Sequence, residues 1–393
     1  MTRLSRLSCV QRMIRMFMVT ILVACTSPAP PPRDLGLVIN LRWVKNYPRE
    51  SKKDINTGLY WTLSFLGAQL PASASVLVWR ENVVMVDLDA AQVIESTKPA
   101  WRKFLAALKS SDEYRRMGGL DIGRFVMLAL CAPKQYYAFT GVSPTFQDFL
   151  AQHTNGARQM AIVESGVAFG NRLIEVRNPT DIGVPAFVAY EGTGSLKEQT
   201  FHKAEIETLE IMRNGQLRFG LYDLAGHMKL ATTPSLTAAG KPSKCLWCHE
   251  INLQPPFRNV TPVEGYYSTQ EFAALIRNSM RTLETYRHDL RSKVSFARRD
   301  DHSYAEYLYL GFAEPTAQRL SREWNVPLPK VTQMLLDRKL RTHADTEFEG
   351  LGDEIAGPNL YDRQDVDSLS PYPVIRTSSS TRETSSYEPD LLQ

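Results

Sequence analysis

The chain has 393 residues, enough for two or three domains at about 150 residues each. Hydrophobic positions make up 43% and charged ones 22%, a balance that excludes collagen-like and wholly disordered chains. The formal charge of +4 comes from 46 Lys and Arg against 42 Asp and Glu. Four of those arginines, Arg3, Arg6, Arg12 and Arg15, lie in the first 24 residues without any acid. The rest is neutral, which argues against nucleic acid as a partner.

A basic region followed by the apolar stretch Met16–Ala24 predicts a secretory signal over 1–24, because that stretch falls short of the ~18 residues of a membrane span. The Pro-rich segment 25–35 reads as a tether. Leu22-Val23-Ala24-Cys25 resembles the bacterial lipobox. That resemblance implies cleavage before Cys25 and lipidation of its thiol. It also implies a cell-envelope location, in the outer membrane facing the periplasm or at the cell surface, with the lipid as the only membrane contact. The alternative is an ordinary secretory signal in which Cys25 is incidental.

Residues 36–240 read as an α+β region. Asn56–Leu70 is helical by its stripe of Leu59, Leu63, Leu66 and Leu70, and Val76–Trp79 with Val83–Asp87 forms a hairpin. Trp101–Met117, Ile122–Ala132 and Phe146–His153 are further helices. An antiparallel meander follows: Gln159–Val163, Leu173–Val176, Ala186–Tyr190, Ile206–Met212, Gln216–Tyr222 and His227–Ala231. Asn214-Gly215 supplies a two-residue hairpin turn between the fourth and fifth of these strands.

Residues 241–367 are mostly helical. Ser268 and Glu271 form a capping-box signature for a helix running to about Val294. Ser303–Phe312, Thr316–Trp324 and Val331–Leu340 follow. The Ser-rich stretch 368–393 reads as a disordered tail.

One motif carries chemistry. Cys245-Leu246-Trp247-Cys248-His249 is a CxxCH sequence and resembles the haem attachment site of c-type cytochromes. The resemblance implies one covalent haem c, with thioethers at Cys245 and Cys248 and His249 as the proximal iron ligand. It also implies a helical, cytochrome c-like region, a function in electron transfer and a redox partner protein. No Pro-flanked methionine follows, so the sixth ligand stays open. Met280, on the helix of Phe272, Ile276 and Leu283, is the first candidate. His227, Met228, His288, His302 and Met334 are others. A carbonyl of Pro255-Pro256-Phe257 would orient the His249 ring, and Phe257, Tyr266 and Tyr267 would wall the porphyrin. The competing readings are a zinc or dithiol site, a haem enzyme or sensor with an open axial position, and a haem-free binding lipoprotein. Cys131, in an apolar run, reads as a core thiol.

Overall fold

The computed structural model describes residues 36–153, 158–163, 165–179, 182–249, 251–254, 261–288, 290–298, 300–345, 357–377 and 390–393. Cys25, the signal and tether, and Pro255-Pro256-Phe257 lie outside these residues. Strand β1 (Val38–Arg42) is followed by helix α1 (Lys52–Phe65). Ser51 accepts the Asp54 N–H, and the Asp54 carboxylate accepts the Ser51 N–H at 2.8 Å. This reciprocal cap starts the helix four residues ahead of its expected position. Strands β2 (Leu77–Arg80) and β3 (Val83–Asp87) form the expected hairpin. The single helix expected over Trp101–Met117 is two, α2 (Lys98–Ser110) and α3 (Asp112–Met117). Ser111 between them is extended and its hydroxyl caps the second at the Tyr114 N–H. Strand β4 (Leu120–Asp121) completes a sheet of order β2-β3-β1-β4. Helices α4 (Ile122–Ala129), α5 (Pro133–Thr140) and α6 (Phe146–Gln152) close this part.

The meander is a five-stranded antiparallel sheet of β5 (Gln159–Ile162), β6 (Arg172–Val176), β7 (Phe187–Thr193), β8 (His202–Ile211) and β9 (Leu217–Tyr222), paired in chain order. The Asn214-Gly215 turn is longer than expected. Gly215 donates to Met212 O while Met212 donates to Gln216 O, and Gly215 takes the left-handed φ of 85°. That is a three-residue loop with a glycine bulge. His227–Ala231 is not a strand; it contributes only the isolated bridges Thr145↔His227 and Tyr222↔Met228. Side chains alternate across the sheet. Tyr190 and Tyr222 turn one face onto Phe146 of α6, and the other face meets the later helices.

Those helices are α7 (Pro242–His249), α8 (Thr269–Tyr286), α9 (Ser303–Ala313), α10 (Ala317–Trp324) and α11 (Leu328–Asp337). Strands β10 (His343–Asp345) and β11 (Gly357–Leu360) pair with each other ahead of α12 (Arg363–Asp367). The Ser268–Glu271 capping box is present at α8, but the helix ends at Tyr286 rather than near Val294. Helix α9 packs against both α1 and α4. Gly58 and Gly123 permit this: a Cβ on Gly58 would stand 2.7 Å from Leu308, and one on Gly123 would run into Phe312. Leu246, Phe272 and Leu308 therefore share one core with Leu59 and Phe125, and Leu37–Gln393 forms a single compact unit. A smaller core gathers Leu320, Trp324, Val331, Leu335, Val366, Leu369 and Tyr372. The last two lie beyond Ser368, where disorder was expected; their burial orders the chain there.

An ionic cluster sits under α4, α10 and α12. Arg124 holds both oxygens of Asp367 at 3.0 Å and pairs with Glu113 at 2.8 Å. Arg319 holds both oxygens of Asp121 at 2.9 Å. Glu323 meets Arg363 at 2.9 Å, Arg319 at 3.0 Å and Arg124 at 3.3 Å. All seven side chains are buried, and the three guanidiniums surround the Phe312 ring. Burial alone would raise the Glu323 carboxyl, but Arg363, Arg319 and Arg124 together hold it at about 2. Glu113 goes the other way. Burial, opposed by Arg124 and reinforced by Glu323 and Asp121, pushes it up to about 7.

Candidate functional site

CxxCH spacing puts Cys245, Cys248 and His249 at i, i+3 and i+4, which is one face if the segment is helical. The segment is α7. The preceding loop is closed by Thr232, which donates its N–H to Gly240 O at 2.9 Å and accepts the Gly240 N–H at 2.8 Å. Pro242 then occupies the first helical position, where its missing N–H costs nothing. On the far side of α7, Leu246 is buried, and Trp247 lies against Phe65 of α1 and Tyr309 of α9 at ring distances of 6.2 and 6.4 Å. The core thus grips one side of the helix. The other side, with both cysteines and the histidine, lines a cavity of about 280 Å³ between α7, α8 and the sheet. Its walls are mainly apolar, with Ile174, Phe187, Leu209 and Phe219 from the sheet and Phe272 and Ile276 from α8.

Neither cysteine is in a disulfide; Cys245 is half-buried and Cys248 exposed. The His249 ring lies 5.0 Å from that of Phe219, and its Nδ1 is 3.3 Å from the carbonyl oxygen of Asn252. A carbonyl only accepts, so Nδ1 carries the proton and Nε2 keeps its lone pair. A carbonyl that orients the ring is therefore present, from Asn252, while the expected Pro255-Pro256-Phe257 lies outside the described residues. Crowding by the cavity walls drives the His249 pKa down to about 4, with the Asn252 carbonyl opposing and Arg172 adding to the fall. The ring is neutral at neutral pH although one side of it meets the open cavity.

The turn after α7 is pinned from a distance. Ile251 has φ of 70°, rare for a β-branched residue. Arg287, the residue that ends α8, donates to the Ile251 carbonyl and, at 3.0 Å, to that of Gly215. Burial lowers the Arg287 pKa to about 10.

Charge on the sheet wall comes from single residues of β6 and β7 and from alternate residues of β8. Register pairs Arg172 with Glu191, Glu191 with Glu205, and Ala189 with Glu207. Arg172 pairs with Glu191 and reaches diagonally to Glu207 Oε2 at 3.0 Å. Lys229 pairs with Glu205. Arg172 and Glu207 both line the cavity. Glu207 Oε1 is buried with no hydrogen-bond partner among the described residues. Burial raises the Glu207 pKa to about 7; Arg172 and Lys229 oppose this, while Glu191 and Glu205 add to it.

Met280 does not join the site. Its sulfur accepts the Leu253 N–H at 3.3 Å, and Ile276, one helical turn earlier, takes the lining position. His227, Met228, His288, His302 and Met334 do not line the cavity either, nor do Tyr266 and Tyr267. Cys131 is buried in the core. Among the described residues, no three His, Cys, Asp or Glu side chains converge as a metal-holding group, and no helix is long and apolar enough to cross a membrane. A larger cleft of about 860 Å³ lies elsewhere, where His153 meets Glu210 at 2.7 Å and Glu210 meets Arg218. Sequence reasoning did not single out Arg172, Glu207 or Arg287. A signal for Glu207 existed in the charged alternate positions Lys203, Glu205 and Glu207 of β8, but Arg172 stands alone on its face of β6. Comparison with protein-family models, with curated proteins and with solved structures yields no match.

Proposed function

We propose that this chain is an exported haem c protein that exchanges electrons with a redox partner through one haem held by α7. The observation that carries the reading is the convergence of two thiols and a neutral imidazole on one face of a short helix, lining one mainly apolar cavity. Cys245 and Cys248 would bind the haem through thioethers, and His249 Nε2 would ligate the iron. Bound there, the haem supplies a one-electron couple. The residues suit this role. Asn252 fixes the ring tautomer, and the turn pinned by Arg287 fixes its position. The mainly apolar walls would give the haem a surrounding of low polarity, which tunes its potential. Haem attachment asks for one protein nitrogen and two thiols, whereas zinc asks for four donors.

The signal-like start and Cys25 extend the proposal to a lipid-anchored protein of the cell envelope, on the outer membrane facing the periplasm or at the cell surface. The helices α7 to α11 would then be its cytochrome-like part. Expression in a periplasm equipped for cytochrome c maturation, followed by acid–acetone extraction, tests the haem. Colour that resists extraction and disappears in Cys245→Ala with Cys248→Ala, with the fold retained, is the expected result. Absence of retained haem in the natural chain overturns the proposal and leaves a haem-free binding lipoprotein.

A second reading, an open axial position as in a haem enzyme or sensor, is favoured by one observation. Among the described lining residues His249 is the only histidine, and there is no methionine.

A further inference from the structure

One acidic side chain on the cavity wall has no part in attaching or ligating haem. We propose that Glu207, held by Arg172, is the proton acceptor for a small weak acid H–X, a class that includes hydrogen peroxide, entering the cavity that His249 lines. This rests on the haem c reading and names the ligand class of the same site.

Three observations carry it. Glu207 Oε2 is held by Arg172 at 3.0 Å, while Oε1 is buried without a hydrogen-bond partner among the described residues. Such an acceptor is costly to bury unless a donor reaches it. Its cross-strand neighbour on β7 is Ala189, a short side chain that lines the same cavity as the carboxyl. Finally, among the described residues no methionine sulfur or second imidazole lines the cavity, and the sulfur of Met280 is engaged by Leu253.

Among the described residues, Arg172, Glu207 and Lys244 are the charged side chains that line the cavity itself. Arg172 and Lys229 balance Glu191 and Glu205 on the sheet and the loop after β9, leaving Glu207 over. From α7 the facing groups are Lys244 and His249, and from α8 the apolar Phe272 and Ile276. In the step itself the Glu207 carboxylate takes the proton of H–X, and X⁻ keeps the bonding electron pair as the anionic ligand. No electron enters or leaves, charge is conserved, and release of H–X reverses the transfer.

The test uses the full-length haem-loaded ferric chain with cyanide as probe, at pH values where cyanide is protonated. Binding is followed by the shift of the Soret band in a stopped-flow instrument. The association rate is expected to rise with pH as Glu207 loses its proton near neutrality. Glu207→Gln is expected to slow it at least about tenfold and flatten the profile. Glu207→Asp keeps a carboxyl and so keeps an inflection, which covers the case in which the glutamine variant does not mature. A flat natural profile, or a glutamine variant matching the natural chain, overturns the inference. So does a six-coordinate low-spin spectrum that cyanide does not change, although that result leaves the haem c reading standing. Failure to retain any haem removes both.

Discussion

The cluster beneath α4, α10 and α12 and the cluster on the cavity wall use the same materials, arginines and carboxylates taken out of water. They differ in how many guanidiniums surround the carboxylates and in what lies beside them. In the first, Asp121, Asp367 and Glu323 each meet a guanidinium through hydrogen bonds, and Glu113 is ion-paired to Arg124 at 2.8 Å, although Glu113 Oε2, Arg124 Nε and Arg363 Nη2 make no hydrogen bond among the described residues. Its residues line neither the cavity beside α7 nor the larger cleft. In the second, one carboxyl oxygen is left without a donor at the edge of open space. Low dielectric raises the stakes of both. A network in which every carboxylate faces a guanidinium ties β4, α4, α10 and α12 together, whereas the carboxyl oxygen of Glu207 that faces no guanidinium, beside a cavity, fits the ligand proposed above.

The sharpest way to break this contrast is to remove one partner from each cluster. Glu323→Ala removes the one carboxylate that Arg363, Arg319 and Arg124 share, leaving Arg319 to Asp121, Arg124 to Glu113 and Asp367, and Arg363 to Asp367 at 3.5 Å. Removing one member of a buried ion pair costs about 3–5 kcal/mol. Denaturant unfolding of the full chain should show a loss of that size. Glu207→Gln should cost far less, because Glu207 meets one guanidinium, which retains Glu191, where Glu323 meets three. Equal losses would mean that both clusters are structural.

Titration separates the two clusters further, and also separates residues within the first. Glu323 is held below its unfolded value, so its contribution is present above about 4.5 and is lost as pH falls toward 2. Glu113 is raised, so the folded state keeps its proton longer. Its contribution is complete below about 4.5 and lost as pH climbs through 7. At 1.36 kcal/mol per pKa unit, each amounts to about 3 kcal/mol at most. Glu113→Gln keeps a neutral side chain throughout. Relative to the natural chain, the variant should therefore gain stability between about pH 4.5 and 7 in denaturant midpoints. A constant difference across that range would place the shared proton elsewhere in the cluster.

What could be read from sequence follows how local each feature is. The Ser268–Glu271 cap and the CxxCH face each need only one turn of helix, and both can be read from spacing alone. The break at Ser111 could not, because the apolar period of Trp101, Phe104, Leu105 and Leu108 continues plausibly through it. The wall opposite His249 is less legible still. Arg172 and Glu207 come together only through the register of three strands, and both reach α7 only because the sheet turns that face toward it. Charged residues on alternate positions of a strand usually face water. Here the later helices cover them, which no local pattern announces.

Met280 is where the sequence and the geometry diverge most, and where the smallest effect is informative. Its position on the apolar stripe of α8 suits an iron ligand, yet its sulfur receives the Leu253 N–H instead. That contact supports the segment just beyond the His249–Asn252 turn. Met280→Leu conserves volume and loses only a weak acceptor, so it should cost less than about 1.5 kcal/mol. The ferric and ferrous spectra of the haem-loaded chain should stay unchanged. A shift from low to high spin in this variant would make Met280 the sixth ligand, which would require α8 to move its sulfur from Leu253 into the cavity. In that case the unpartnered oxygen of Glu207 would face a closed coordination sphere, and the contrast between the two ionic clusters would lose its functional meaning.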